Sequence, residues 1–204
     1  MNDPLPPPEG VEIIERETAF QGYFRIDRYI LRHRAFAGGW TAPVHREIFE
    51  RGHAAGVLLY DPEADAVGLI EQFRPGALAA GRHPWLIEIV AGIIEEGESP
   101  EDVAIRECAE EAGANVHDLL PICDYLVTPG GSSETMRLYC GRVHARGLSG
   151  IHGLADEGED IRVLTVPTDE AIGWMREGRI ANAMTIIAIQ WLALNRDEVR
   201  RCWR

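Results

Sequence analysis

Three glutamates spaced three and four residues apart constrain this chain more than any other feature. Glu107, Glu110 and Glu111 lie in the run GIIEEGESPEDVAIRECAEEAGA, residues 92–114. The second half of that run reads as a helix. Ser99-Pro100 supplies a cap residue followed by proline at the first helical position, and Gly113 stands where a helix ends. In a helix the three carboxylates project from one side, where like charges repel and weaken it. A cation held between them would offset that repulsion, and hard oxygen donors favour magnesium or manganese. A solvated acidic face has the same spacing and is the competing reading.

The surrounding residues add fixed offsets. Gly92 is followed after five residues by Glu98, and after seven more by Arg106-Glu107. Then come the small apolar Cys108, Glu110-Glu111, Gly113 and apolar Ala114. Every specified position of the Nudix box is met, and the chain resembles a Nudix hydrolase. The resemblance implies an α+β fold: an α/β/α sandwich with a mixed sheet, here preceded by a small antiparallel N-terminal sheet. Arg106 is the only cation between Glu95 and Glu111. It is placed to pair with Glu98 across the loop–helix corner, a structural role. Gly92 and Gly97 are expected to permit tight backbone geometry.

Composition sets outer limits. The chain has 204 residues, 46% of them hydrophobic, and a formal net charge of −13. Such acidity argues against sequence-independent binding to a nucleic-acid backbone. It is compatible with a phosphorylated small molecule bridged to carboxylates by divalent metal. No window has the apolar length of a membrane span. MNDPLPPPEG carries neither a basic nor a hydrophobic leader region and reads as a proline-rich lead-in. Cys108, Cys123, Cys140 and Cys202 have no Cys-x-x-Cys spacing, which suggests a reducing, cytoplasmic setting.

Residues 1–53 read as an N-terminal sheet domain and 54–204 as the catalytic domain. In the first, strands are expected over 11–18, 22–34 and 41–50, with a turn at 37–39. Alternation in 22–34 puts Tyr23, Arg25, Asp27 and Tyr29 on a wet face, opposite Phe24, Ile26 and Ile30. In the second, strands are expected over 55–60, 66–73, 85–90, 122–127, 136–143 and 161–166. Residues 77–84 and 146–160 read as loops. Helices are expected from 168 to 178 and from 182 or 185 to 194. The N-terminal sheet has few large apolar residues and is marginal alone.

Four outer stretches are similar to bacterial ADP-ribose pyrophosphatases. They are HRE at 45–47 with ERGHAA at 50–55, EQFR at 71–74, PGGSSE at 129–134 and HGLADEGEDI at 152–161. The resemblance implies magnesium-dependent cleavage of the diphosphate of ADP-ribose to AMP and ribose 5-phosphate. Hydrolysis of another nucleoside diphosphate sugar, an ADP-sugar or GDP-mannose, is the alternative. A non-catalytic binding module of the same fold is a third reading, disfavoured because the box carboxylates are all present.

The resemblance also implies roles. Two or three Mg2+ ions, or Mn2+, would be held by the Ala91 carbonyl, Glu107, Glu111 and Glu159, with Glu110 assisting. Glu157 would be the general base on the attacking water. Tyr23, Phe24, Arg46, Glu47, Arg51, Arg74, Ile93, Thr128, Pro129, Gly130 and Glu134 would contact the substrate. Arginine matches phosphate oxygens with parallel donors, and an aromatic ring can stack on a base. Surface arginines and sheet-packing aromatics are the plainer readings of the same residues. Gly92, Glu98, Arg106 and Gly113 would be structural. A homodimer that exchanges the N-terminal sheet is a further implication.

Overall fold

The computed structural model describes residues 8–154 and 158–203. Two expectations therefore lie outside the described residues: the start of the proline-rich lead-in, and Glu157 with its neighbours Ala155 and Asp156.

The chain divides into two compact units. The smaller takes the residues up to His53 together with Leu126–Thr135; the larger takes Ala54–Tyr125 and Met136–Arg204.

The smaller unit is built on a three-stranded antiparallel sheet of β1 (Val11–Gln21), β2 (Arg25–His33) and β3 (Val44–Glu50), in that order. β1 runs past the expected end at 18, through two register shifts against β2. The expected wet face of β2 is not wet at its centre. Asp27 is buried there, bonded by Arg16 Nη2 at 2.7 Å and Thr18 Oγ1 at 3.0 Å, with Arg25 at 2.9 Å. A buried carboxylate is tolerated when it is paired and hydrogen-bonded in this way. The second segment of the unit is tied on through Phe49, whose N–H donates to the Gly131 carbonyl at 2.8 Å. The Phe49 carbonyl in turn accepts from Ser132 Oγ at 3.0 Å.

The larger unit is an eight-stranded mixed sheet between helices. Its strands are β4 (Ala54–Asp61), β5 (Ala66–Phe73), β6 (Trp85–Glu88), β7 (Val90–Ile93), β8 (Leu119–Leu126), β9 (Thr135–Arg142), β10 (Gly150–His152) and β11 (Ile161–Pro167). The order is β10-β11-β5-β4-β9-β8, with β6 added to β5 and β7 to β4. β4 and β9 run parallel. The helices are α1 (Pro75–Ala79), α2 (Pro100–Ala112), α3 (Thr168–Arg176) and α4 (Ala183–Cys202).

β4 explains the layering. All eight residues, AAGVLLYD, are buried, as expected for a strand covered on both faces. Leu58 and Tyr60 point into a core shared with Ala171, Ile189 and Leu192 of α3 and α4. Val57 and Leu59 point into a second core with Val103, Ala104 and Cys108 of α2. This is the α/β/α sandwich that the box implied.

Four local expectations are corrected. The strand expected over 85–90 is two strands, because the Ile89 N–H leaves the ladder to donate to Thr185 Oγ1 at 3.0 Å. The loop at 77–84 begins inside α1, with Pro75 at its first turn. The loop at 146–160 contains β10, which pairs with β11. The last helix does not stop at 194. It continues through the basic tail because Val199 and Trp203 are buried against the core.

Candidate active site

α2 carries the centre of the site, and its ends are fixed by local chemistry. Ser99 caps it: the Asp102 N–H donates to Ser99 Oγ at 3.1 Å, and a reciprocal bond completes a capping box. At the other end Gly113 adopts φ 58°, the left-handed conformation that favours glycine. A Cβ there would also come within 2.7 Å of the His152 ring.

Gly92 is required for a different reason from the one expected. Its backbone is not unusual; its space is. A Cβ at Gly92 would lie 1.7 Å from Glu107 Oε1. The first glycine of the box thus lets a helix carboxylate lie directly against strand β7.

Arg106 organises the corner between loop and helix. Its Nε and Nη2 donate to the two oxygens of Glu98 at 3.0 and 3.1 Å, a bidentate pair. Nη1 donates to Glu107 at 2.8 Å and Glu110 at 3.1 Å. These bonds hold the Glu98 carboxyl below its ordinary range and raise the guanidinium further above its own.

The carboxylates behind Arg106 are under opposite pressure. Glu111 is 2% exposed. Burial, followed by repulsion from Glu107 and Glu159, pushes its carboxyl up to about 8, although the Ala91 N–H donates to it at 3.0 Å. Glu107 is likewise raised, first by burial and then by Glu110 and Glu159, against the pull of Arg106. Glu159 arrives from the loop before β11. Its Oε2 accepts from the Leu154 N–H at 3.1 Å, and the Gly153 N–H donates to the Glu110 carbonyl at 3.3 Å.

Hard carboxylate oxygens of this kind are the chemistry that suits a divalent cation. Acidic oxygens from α2 and the β10–β11 loop repel one another in a partly dry pocket, with Arg106 bonded to Glu107 and Glu110 and the charge of Arg74 acting on Glu111 as partial compensation. The carboxylates are not drawn into a closed cage: among the described residues, no three His, Cys, Asp or Glu side chains form a tight ligand cluster.

The residues expected to meet substrate fall into two groups. In the larger unit, Arg74 stands between β5 and α1 and donates through Nε to Glu88 at 2.7 Å. Ile93 ends β7, partly exposed, opposite Ala54. In the smaller unit, Tyr23 meets Phe24 edge to face at 4.8 Å, Phe24 meets Phe49 at 5.0 Å, and the Arg51 guanidinium lies 5.6 Å from the Phe24 ring. Arg51 also pairs with buried Glu134 at 3.5 Å. Thr128 begins the turn of that segment, its carbonyl accepting from the Gly131 and Ser132 N–H groups. Pro129 and Gly130 form its exposed tip. Arg46 and Glu47 are apart from this aromatic group, beside Arg28 and His45 around a shallow depression. Arg46 donates to the His45 carbonyl, and Arg28 pairs with Glu47.

Reading the residues alone missed two contributors. Glu88 is 1% exposed and binds both Arg74 and Asn182. The available signal was one acid in the apolar run WLIEIV. His152 packs over Gly113, a contact no spacing announces.

The comparisons with known proteins agree with this architecture. A family model described as the NUDIX domain matches residues 50–184, and the chain belongs to that family. Among its relatives, the ADP-ribose pyrophosphatase of Escherichia coli strain K12 is 52% identical over 193 residues, covering 95% of this chain and 92% of that protein. The ADP-ribose pyrophosphatase of Haemophilus influenzae is 42% identical over 199 residues, 96% of this chain and 92% of that protein. A GDP-mannose pyrophosphatase of Pectobacterium atrosepticum is 31% identical over 181 residues, 88% and 92% of the two chains. A crystal structure described as an ADP compounds hydrolase superposes with a TM-score of 0.72 at 19% identity, covering 94% of this chain and 97% of that one. At that identity it speaks for the fold alone.

Proposed function

We propose that this chain is a divalent-metal-dependent ADP-ribose pyrophosphatase, releasing AMP and ribose 5-phosphate. The observation that carries the proposal is the convergence of Glu107, Glu110, Glu111 and Glu159 behind Arg106, in a chain 52% identical to a protein named for that activity. The GDP-mannose pyrophosphatase relative supports a second reading, a different nucleoside diphosphate sugar cleaved by the same chemistry.

Glu107, Glu111, Glu159 and the Ala91 carbonyl would hold the metal, with Glu110 beside them. Magnesium is the first choice, manganese the second, and two or three ions the expected number. When bound, the metal neutralises diphosphate charge and lowers the pKa of water. Arg106 fixes the direction of Glu107 and Glu110. Glu157 takes the proton of the attacking water as general base. Arg74 pairs with phosphate oxygens through its planar fork. Tyr23, with Phe24 beside it, stacks on the base, and Arg46 and Arg51 recognise the substrate; in a homodimer that exchanges the N-terminal sheet, Tyr23 and Arg46 act on the site of the second subunit. Exposed Ile13, Ile14, Phe20 and Phe36 on the smaller unit are compatible with that homodimer. Four unpaired cysteines suit a cytoplasmic setting. Among the described residues no helix is long and apolar enough to cross a membrane.

The test is hydrolysis of ADP-ribose, ADP-glucose and GDP-mannose, with Mg2+ and with chelator, by wild type and Glu157→Gln. ADP-ribose turnover that needs metal and falls at least about 100-fold in the variant supports the reading. Preference for GDP-mannose moves the substrate assignment. Full activity in Glu157→Gln removes the base assignment.

A further inference from the structure

We propose that Glu88 is a positioning residue for Arg74, itself held by Asn182 at the head of α4. The inference rests on Arg74 meeting the substrate's diphosphate.

Glu88 is the last residue of β6 and 1% exposed. A buried carboxylate is costly unless each oxygen finds a donor. Here each does. Oε2 accepts from Arg74 Nε at 2.7 Å, and Oε1 accepts from Asn182 Nδ2 at 2.6 Å.

Asn182 cannot turn away. Its Oδ1 caps α4 by accepting from the Thr185 N–H at 3.2 Å and also accepts from the Thr185 hydroxyl at 3.2 Å. That leaves Nδ2 directed at Glu88. Thr185 Oγ1 accepts the Ile89 N–H, the residue after Glu88. The break between β6 and β7, the α4 cap and Glu88 thus form one closed circuit.

The circuit grips Arg74 by its Nε. Among the described residues, the two terminal nitrogens of Arg74 carry no hydrogen bond. A guanidinium fixed this way presents both of them in one plane, the geometry that pairs with two phosphate oxygens. Its side chain is 39% exposed, so an anion can reach it. Arg74 also lies within electrostatic reach of Glu111. Holding the side chain in advance removes the rotamer entropy that binding would otherwise cost.

Glu88→Gln tests this, because an amide in that place must turn a donor toward either Arg74 or Asn182. The readouts are KM and kcat for ADP-ribose, affinity for inorganic pyrophosphate under chelator, and the 15N signal of the Arg74 Nε–H. We expect KM and the pyrophosphate Kd to rise about tenfold, kcat to stay within about twofold, and the Nε–H to exchange faster. In an Arg74→Ala background the same change should cost nothing further in affinity. A kcat loss at constant KM overturns the proposal. So does a tenfold loss that persists without Arg74, or an unmoved Nε–H signal. If Glu88→Gln does not fold, Asn182→Ser keeps a cap and should weaken affinity about threefold by loosening Glu88. If wild type leaves ADP-ribose intact, the function assigned above fails, while the pyrophosphate and NMR measurements still decide the role of Glu88.

Discussion

Single atoms decide much of this site. The missing Cβ of Gly92 is one case, since the Glu107 carboxyl occupies the volume it would fill. Gly92→Ala is expected to leave the fold intact, within about 1 kcal/mol, because a flexible side chain can move aside. Glu107 then leaves its place, and kcat/KM should fall by about 100-fold. Steady-state kinetics beside a thermal melt separates the two effects. The box residues were legible in the sequence because their offsets follow helix geometry and one loop–helix corner. The need for Gly92 was legible, but its cause was not: the clash is with a side chain fifteen positions away that only the folded corner brings close. Glu88 was barely legible, because its partners Arg74 and Asn182 come from two other elements.

Among the elements, α4 departs furthest from expectation. Its periodic apolar stripe is clear to residue 194, after which charged residues mask the pattern. The continuation is held by tertiary contacts. Arg196 and Arg200 converge on Asp65, which also accepts from the Tyr60 hydroxyl at 2.9 Å, and Trp203 packs against Tyr60. No local signal announces such pairings. Removing residues 195–204 should cost about 5 kcal/mol or more, from lost burial of Val199 and Trp203 and an unpaired Asp65. Denaturant unfolding of the truncated chain would then show a much earlier midpoint, or no cooperative transition. A chain that melts like the parent would show that the final turns of α4 are dispensable. The split of β6 from β7 has the same character, since it depends on a hydroxyl at Thr185.

At the scale of the molecule, buried Asp27 in the smaller unit and buried Asp61 and half-buried Asp65 in the larger are aspartates whose folded state favours ionisation. Burial raises the Asp27 carboxyl, but bonds from Arg16 and Thr18 and the charge of Arg25 outweigh it, and the net shift is down. Burial opposes ionisation of Asp65 as well, and Arg196, Tyr60 and Arg200 overcome it. Asp61 follows the same rule through backbone N–H groups of Ala145, Ala64 and Glu63. A carboxyl lowered by folding contributes stability that is complete above its unfolded value, about 3.9, and lost as pH falls through the folded value. The melting temperature should therefore be insensitive to these three groups near pH 7 and fall steeply below about pH 4. Asp65→Asn tests the share of one of them. Asparagine tolerates the left-handed φ of 55° at this position, so the variant removes charge with little backbone strain. It should lower stability by about 2–3 kcal/mol at pH 7 and flatten the acid limb of the Tm profile. An acid limb as steep as the parent's would assign the loss to other carboxyls.

The smaller unit is discontinuous along the chain, and this has a consequence for synthesis. Its first three strands leave the ribosome long before Leu126–Thr135, the segment that bonds to Phe49. At translation rates of about 5–20 residues per second, that interval is roughly ten seconds. During it, the exposed apolar residues of β1 and its flanks have no completed unit to belong to. The nascent sheet is then at its most open to capture by a chaperone or by a neighbouring nascent copy on the same message.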